Sequence, residues 1–329
     1  MSSTVQIKRR TFLAAGLLLP IAGCGGGGGG SGSSANLAIA YQFGIPYAPL
    51  LIIKHEGWLQ QDLKGTQVTW QQLSSGSDIR DGMLSGAIQV GSGGVAPFLI
   101  GYDAGVDWKL LTALEDNDLW MMAKDRKYQS LKDFQPRDKI ALPSPGSIQA
   151  IIMQAAAKQQ LGDAHALDKN IVALDHPQAQ QAMLSGQVAA HFANPPFQYD
   201  EQTSGAHIVL QSYKVFNGPT TLDGVFVRTE YHDSHPQEMT VLFKDIKRAI
   251  ELIKSDPAKA ADILTAESGG KISSKDYQGY LTHDGLEFTT TPHAYTKFAL
   301  FMKDVGAIKK TPNSWQDLVF DNLKGLGGS

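Results

Sequence analysis

Cysteine and long hydrophobic runs are nearly missing from this 329-residue chain, and basic residues are not in excess. The single cysteine, Cys24, excludes a disulfide framework and any zinc or iron–sulfur site built from several cysteines. After Gly25 no stretch approaches the roughly 18 consecutive apolar residues that a membrane span needs. Lys and Arg number 29 against 32 Asp and Glu, a net charge of −3, which argues against a nucleic-acid-binding protein.

Motifs of catalysis and metal binding are missing as well. The folded part has no G-x-S-x-G nucleophile turn and no glycine-rich phosphate loop. Two groups of acids and histidines lack the spacing of a metal site, namely His232, His235 and Glu238, and Glu115, Asp116 and Asp118. We therefore expect no catalytic residues, no metal and no cofactor, and conclude that the chain is not an enzyme.

The N-terminus has the features of an export signal. Lys8, Arg9 and Arg10 precede an apolar run to Ile21, and Cys24 follows the small residues Ala22 and Gly23. This pattern predicts a signal peptide over 1–23, of twin-arginine type or general secretory type, and lipidation of Cys24. Residues 24–35 are rich in Gly and Ser and predict a flexible tether. We expect an extracytoplasmic, lipid-anchored protein.

From Leu37 onward, short β-branched runs alternate with helical patterns, which predicts an α/β architecture with largely parallel sheets. Three helices have clear boundaries: one from Pro177 to Gly186, one from Pro236 to about Lys254, and one with Thr291 as N-cap and Pro292 as first residue. The predicted strands are 37–40, 67–70, 88–91, 108–113, 139–142, 170–174, 188–192, 207–211 and 224–228.

A four-residue segment occurs twice. Met83-Leu84-Ser85-Gly86 recurs as Met183-Leu184-Ser185-Gly186, and each copy is followed by a predicted strand and a Pro-Phe pair. Two copies are too few for a solenoid. The repeat favours two similar α/β lobes, and the cleft between two lobes is the usual place for a small ligand.

Small polar residues and glycines follow several of these strands. Loops at the carboxyl ends of parallel strands bind ligands in α/β proteins, and helix N-termini accept anions on their backbone N–H groups. The loops predict an anion-accepting cleft formed by Ser75, Gly76, Ser77, Ser92, Gly93, Gly94, Ser144, Gly146, Ser147 and Asn194. Four aromatic residues nearby could contact the apolar part of a ligand or fill the lobe cores: Tyr41, Phe43, Tyr47 and Phe197.

Several segments resemble the periplasmic solute-binding proteins of ABC importers, in the group that takes nitrate, sulfonates, taurine and thiamine pyrimidines. The similarity spans about 37–326, and its most specific segments are 56–59, 83–94, 139–143, 193–199, 288–292, 305–308 and 314–315. The resemblance implies a type II periplasmic-binding-protein fold of two lobes and a monomer that delivers its solute to a membrane permease with an ATPase. It adds Thr220 and Thr221, at the return crossover, to the candidate site.

The resemblance also divides the chain. We expect lobe 1 to begin with 36–115, lobe 2 to be 116–217, and 218–329 to return to lobe 1. The expected solute is a small organic anion, an alkanesulfonate or taurine, or nitrate. A pyrimidine or another small aromatic solute remains the alternative. A receptor for a sensor kinase or chemoreceptor would have the same sequence features, whereas a related pyrimidine synthase carries a cysteine-rich motif that this chain lacks.

Overall fold

The computed structural model describes residues 36–329, which contain eleven strands in two sheets. The first sheet has the order β11-β4-β10-β3-β1-β2 and the second has the order β7-β6-β8-β5-β9. The strands are β1 (Asn36–Tyr41), β2 (Gln67–Gln72), β3 (Val90–Gly94), β4 (Trp108–Asn117), β5 (Trp120–Ala123), β6 (Ile140–Leu142), β7 (Ile171–Ala173), β8 (Ala190–Phe192), β9 (His207–Gln211), β10 (Thr221–Arg228) and β11 (Leu286–Phe288).

Fourteen α-helices connect and cover these strands within the same residues. They are α1 (Ala48–Glu56), α2 (Trp58–Asp62), α3 (Gly76–Leu84), α4 (Val95–Asp103), α5 (Ile148–Leu161), α6 (His176–Leu184), α7 (Phe197–Thr203), α8 (Ser212–Phe216), α9 (Thr229–Ser234), α10 (Pro236–Ser255), α11 (Pro257–Glu267), α12 (Ser274–Leu281), α13 (Tyr295–Asp304) and α14 (Asp321–Lys324). Short 3₁₀ turns lie at Ile45–Tyr47, Leu131–Asp133, Asp168–Asn170 and Trp315–Leu318. No helix of residues 36–329 has both the length and the apolar character needed to cross a bilayer.

Both sheets are mixed, so the expectation of largely parallel sheets is wrong in detail. In the first sheet β1 runs parallel to β2 and β3, whereas β10 runs antiparallel to β3 and β4, and β11 antiparallel to β4. In the second sheet β6 is parallel to β7 and β8, and β5 is antiparallel to β8 and β9. β5 follows β4 directly as the chain passes from the first sheet to the second, and the short helix α8 precedes β10 as the chain returns.

Most predicted elements are present, with a few corrections. β5 and β11 were not predicted, because runs of four and three residues are too short to show a strand pattern. Helix α13 begins at Tyr295 after Ala294, which has a positive φ of 62°, and not at Pro292. Thr291 instead donates its backbone N–H to the Thr289 hydroxyl at 3.1 Å, so it belongs to the turn before the helix.

The repeated segment ends equivalent helices in the two halves. Helices α3 and α6 both end at the leucine of the Met-Leu-Ser-Gly segment. Their C-caps are Ser85 and Ser185, and the glycines that follow, Gly86 and Gly186, have φ angles of 76° and 81°. Glycine suits this left-handed backbone, which terminates the helix and turns the chain into β3 or β8. The predicted structural similarity of the two copies is confirmed.

The apolar core joins both sheets. Its largest cluster includes Phe98, Trp108 and Phe226 from the first sheet and its helices, and Met121 and Phe192 from the second. Phe98 and Phe226 stack with ring centroids 4.2 Å apart. A second cluster fills the other side of the first sheet beneath α1 and α10. The apolar core is therefore continuous between the two sheets.

Candidate ligand-binding site

A small cavity lies where loops from both sheets meet, with a volume of about 10 Å³. The elements of the first sheet supply one wall, and those of the second supply the other. The lining residues are Gln42, Tyr47, Gly76, Gly94, Pro97 and Asp223 on the first side, and Ser147, Ile148, Gln149, His176 and Asn194 on the second. That volume holds about one water molecule, so a larger solute requires the two walls to move apart.

Four helix N-termini meet at this cavity. Gly76 is the first residue of α3, Gly94 is the N-cap of α4, Ser147 is the N-cap of α5, and His176 is the first residue of α6. The first N–H groups of a helix have no acceptor within the helix, and they carry the positive end of its dipole. Two helices from each wall therefore create a site that favours negative charge.

Ser147 shows how one of these ends is built. Its hydroxyl oxygen accepts the N–H of Ala150 at 3.3 Å and so caps α5. The cap satisfies one N–H of the first turn, and Ile148 and Gln149, whose N–H groups have no acceptor within the helix, also line the cavity. No Lys or Arg is among the described residues that line this cavity, so the backbone supplies the positive potential.

One carboxyl group also lines the cavity. Asp223 pairs with Gly94 across the antiparallel β10–β3 ladder, which places it beside the N-terminus of α4. It accepts the Tyr47 O–H at 2.6 Å, and Tyr47 accepts the Gln42 amide N–H at 2.9 Å. Burial raises the pKa of Asp223 to about 6, while the hydrogen bond from Tyr47 opposes that shift.

A second buried acid accompanies Asp223. Glu115 on β4 pairs with Asp223 in the sheet and is fully buried. Burial, followed by the charge of Asp223, raises the pKa of Glu115 well above its usual range. Burial therefore favours the neutral form of Glu115, and Asp223 is the carboxyl group that lines the cavity.

Direct contacts hold the two walls together. The Asn194 amide donates to the carbonyl of Phe43 at 3.0 Å, and the backbone N–H of Ile45 donates to the carbonyl of Pro195, also at 3.0 Å. Gly44 lies between these bonds with φ of 125°. A solute can reach the cavity only after these contacts open.

The structure brings part of the predicted site to this cavity. Tyr47, Gly76, Gly94, Ser147 and Asn194 line it. The remaining residues of the predicted loops lie outside this lining. They are Ser75, Ser77, Ser92, Gly93, Ser144 and Gly146.

Each of these neighbours has a structural role. Ser75 caps α3 by accepting the Asp78 N–H at 3.2 Å. The Ser77 and Ser144 hydroxyls lie 3.3 Å apart across the two walls. Ser92 is buried within β3. A side chain at Gly93 would contact Gln42, and one at Gly146 would contact Ile100.

Three of the four predicted aromatic residues lie in a different groove. Tyr41, Phe43 and Phe197 line a larger space of about 380 Å³, together with Lys54, Lys271, Asp200 and Glu267. Tyr47 is therefore the aromatic side chain that the structure places at the cavity itself.

Thr220 and Thr221 lie outside the cavity lining. The Thr221 hydroxyl donates to Asp116 at 2.6 Å, and His293 Nδ1 lies 2.6 Å from the other Asp116 oxygen. Thr220 is directed to the carbonyl of Gly218 at 3.4 Å. Cys24, the predicted lipidation site, lies outside the described residues.

Six residues of the cavity lining were missed by the sequence analysis: the polar Gln42, Gln149, His176 and Asp223, and the apolar Pro97 and Ile148. Asp223 lies inside a strand, and Gln149 and His176 lie at helix starts, without any local motif. Their meeting depends on strand pairing and lobe packing. Within residues 36–329, no group of three His, Cys, Asp or Glu residues is arranged to hold a metal ion.

The fold and the cleft define a class, the two-lobed periplasmic binding proteins. The alkanesulfonate-binding protein of Xanthomonas axonopodis pv. citri, solved with MOPS bound, is similar over 87% of this chain and 98% of its own, with 19% identity and a TM-score of 0.70. The periplasmic nitrate-binding protein of Synechocystis PCC 6803 is similar over 88% of this chain and 86% of its own, with 12% identity and a TM-score of 0.72. These likenesses show the fold.

Sequence comparison identifies the family to which the chain belongs. A model of the NMT1-like family matches residues 30–266, and the chain belongs to this family. A Bacillus subtilis (strain 168) protein, provisionally named an aliphatic sulfonates-binding protein, is 24% identical over 270 residues, which cover 79% of this chain and 78% of that protein. The predicted resemblance to periplasmic solute-binding proteins of ABC importers is confirmed, and these relatives are binding proteins rather than enzymes.

Proposed function

We propose that this protein captures a small organic sulfonate outside the cytoplasm and delivers it to the permease of an ABC importer. The observation that carries this proposal is the meeting of four helix N-termini at one cavity between the loops of the two sheets. Their N–H groups suit the oxygen atoms of a sulfonate. Binding by neutral donors, without an arginine, also suits a carrier that must later release its solute.

Asp223 refines the choice among sulfonates. An ionised carboxylate in the same cavity would repel a simple alkanesulfonate or nitrate, and it would attract an ammonium group. A taurine-type solute has both charges, so its sulfonate would face the helix N-termini and its ammonium group would face Asp223.

A second candidate is a small aminopyrimidine. Asp223 and Asn194 could form hydrogen bonds with ring nitrogens and amino groups, and Tyr47 lies beside them. This candidate uses the acid and the amides of the cavity and leaves the helix N-termini without a charged partner. For that reason we rank it second.

The test is a thermal-shift and calorimetric panel on the full chain. It compares taurine, ethanesulfonate, nitrate, a small carboxylate and an aminopyrimidine. A true solute stabilises the protein by about 2.7 kcal/mol at a hundredfold excess over its Kd. We expect taurine to give the largest shift. A shift by the aminopyrimidine alone would reject the sulfonate assignment.

The proposed anchor is tested separately. Acylation of Cys24 would hold the protein at the membrane through the tether at 24–35, after export by the twin-arginine or general secretory route. The Cys24→Ala variant should move from the membrane to the soluble extracytoplasmic fraction, whereas a Ser33→Ala control should remain with the membrane. Membrane retention of Cys24→Ala would contradict the anchor.

The lobe assignment and the transport role complete the proposal. We place lobe 1 at 36–115 and 218–329, lobe 2 at 116–217, and the solute between them in a monomer. If deletion of the permease and ATPase genes leaves solute uptake intact, the role in import is wrong. A receptor for a sensor kinase would then account for the same cavity.

A further inference from the structure

A groove with aromatic walls lies beside the solute cavity and has no part in the proposed function. This aromatic groove has a volume of about 380 Å³, and its lining includes Tyr41, Phe43, Phe197, Lys54, Lys271, Asp200 and Glu267. Among residues 36–329, no residue lines both the groove and the solute cavity. Small-molecule sites in proteins have volumes of roughly 300–1,000 Å³, so the groove can hold an organic compound as it stands.

Aromatic side chains reach the groove from both walls. Phe43 follows the end of β1 in the wall of the first sheet, and Phe197 begins α7 in the wall of the second. Both are half-buried, and Phe197 stacks on His176 with ring centroids 5.5 Å apart. Tyr41 is buried, and its ring centroid lies 6.5 Å from that of Trp70. Because aromatic rings pair favourably by stacking or edge contact, a flat ring in the groove can pair with both walls.

The charged side chains of the groove compensate one another. Nζ of Lys54 lies 2.5 Å from Oε1 of Glu267. Lys271 and Asp200 add one basic and one acidic group, so the lining has no formal net charge. Asp200 accepts the Tyr280 hydroxyl with Oδ1, which leaves Oδ2 able to accept a second hydrogen bond. This lining favours a compound without net charge that carries an N–H or O–H donor.

Backbone hydrogen bonds between the two walls lie beside the groove. Phe43 and Ile45 line it from the first wall, and Pro196 lines it from the second. The carbonyl of Phe43 accepts the Asn194 amide, and the N–H of Ile45 donates to the carbonyl of Pro195. An occupant of the groove therefore contacts both walls next to these bonds and opposes their separation.

We propose that the aromatic groove is a second ligand site, which binds an uncharged planar aromatic compound with an N–H or O–H group and holds the two walls together while it is occupied. The solute cavity favours negative charge through its helix N-termini, whereas the groove selects a neutral ring. The second site does not depend on the proposed function, because its lining is separate from that of the cavity.

The first experiment tests the class of ligand. Indole, a neutral flat ring system with one N–H, is the probe, and calorimetry on the full chain measures its Kd. Indole-3-acetate and tryptamine carry the same ring system with a negative and a positive charge. Both should bind several-fold more weakly, because each loses hydration of its charge without gaining an uncompensated partner. The absence of indole binding, or tighter binding of either charged compound, would overturn the proposal.

The second experiment tests the place of binding. Phe43→Ala should weaken indole binding roughly tenfold, because it removes an aromatic wall but keeps the carbonyl that accepts Asn194. Phe243→Ala is the control, since Phe243 on α10 is also half-buried but does not line the groove. It should leave the Kd of indole unchanged. Equal Kd values in the two variants would remove the ring from the groove.

Amide hydrogen exchange on the wild type needs no variant. Bound indole should slow exchange of the Ile45 N–H, whose acceptor is the Pro195 carbonyl across the walls. Exchange of the Thr229 N–H, which donates to Asp107 outside the groove, should stay the same. Unchanged exchange at Ile45 under saturating indole would overturn the proposal.

Competition separates this site from the solute cavity. Taurine and indole should bind the full chain together, so indole that displaces taurine would overturn the proposal of two separate sites. If no sulfonate binds and indole meets the other expectations, the second site stands and the sulfonate assignment of the proposed function fails.

Discussion

At the residue scale, Asp223 has the greatest influence on which solutes the cavity accepts. It is buried, it is held by the Tyr47 hydroxyl, and it lies beside the start of α4. Its pKa of about 6 means that it is neutral in acid and negatively charged at neutral pH. The same cavity therefore changes its charge within a range that is easily reached in solution.

This titration predicts opposite pH responses for two related solutes. Taurine affinity should increase as the pH rises through about 6, because Asp223 becomes charged and attracts the ammonium group. Ethanesulfonate affinity should decrease over the same range, because the new charge repels its sulfonate. Isothermal titration calorimetry from pH 5 to 7.5 checks both trends. Parallel trends would show that Asp223 does not face the solute.

The Asp223→Asn variant provides the matched substitution. It should weaken taurine binding roughly tenfold or more, because a hydrogen bond to a charged group contributes about 1.5–3 kcal/mol. It should strengthen ethanesulfonate binding and abolish both pH trends around 6. Calorimetry with both solutes measures this reversal, and unchanged taurine affinity would contradict the assigned role.

At the element scale, the N-terminus of α5 has two roles. Ser147 caps the helix through the Ala150 N–H, and it also lines the cavity. Ser273 caps α12 in the same way, through the Asp276 N–H at 3.2 Å, but it lies outside the cavity lining. The two serines separate the contribution of capping to stability from its contribution to binding.

Ser147→Ala and Ser273→Ala should each lower the free energy of unfolding by about 1 kcal/mol, the typical effect of losing an N-cap. Only Ser147→Ala should also weaken taurine binding, by roughly tenfold, since it removes a hydroxyl donor and disturbs the first turn of α5. Urea unfolding and calorimetry measure the two effects. Equal affinity in both variants would remove α5 from the binding site.

At the scale of the whole molecule, the contacts across the cavity determine access. A Cβ atom at Gly44 would lie 2.6 Å from the Asn194 amide nitrogen and 2.8 Å from the Pro195 carbonyl oxygen. These distances are too short for a real side chain. The close approach of the two walls therefore requires glycine at position 44.

Gly44→Ala should favour an open arrangement of the walls and weaken taurine binding. Gly65→Ala is the control, because Gly65 also has a positive φ, of 92°, but nothing lies near its added Cβ. Both variants should lose stability through backbone strain. Small-angle scattering with and without taurine should show compaction in the wild type and in Gly65→Ala, and much less in Gly44→Ala. Full compaction of Gly44→Ala would show that these contacts do not limit closure.

The sequence by itself determined the local structure and the family. β-Branched runs between glycine and proline boundaries located β1, β2 and β9, the helix from Pro236 was recovered almost to the residue, and the two Met-Leu-Ser-Gly copies predicted equivalent helix ends. These features depend on backbone preferences and hydrophobic periodicity, which act over a few residues. For the cavity, the sequence analysis correctly predicted the glycine and serine loops and Tyr47. The loops could be predicted because the residues that cap helices follow recognisable patterns.

Only the tertiary structure decided the charge of the site. Asp223 meets the start of α4 because β10 pairs antiparallel with β3 after the chain returns from the second sheet. His176, His191 and Glu201 come from α6, β8 and α7, and only their packing joins them into one chain. Tyr41 and Phe197 were separated from the cavity by the same packing. Long-range pairing brings these residues together. The residues next to a side chain in the sequence do not determine which distant strand or helix it will contact.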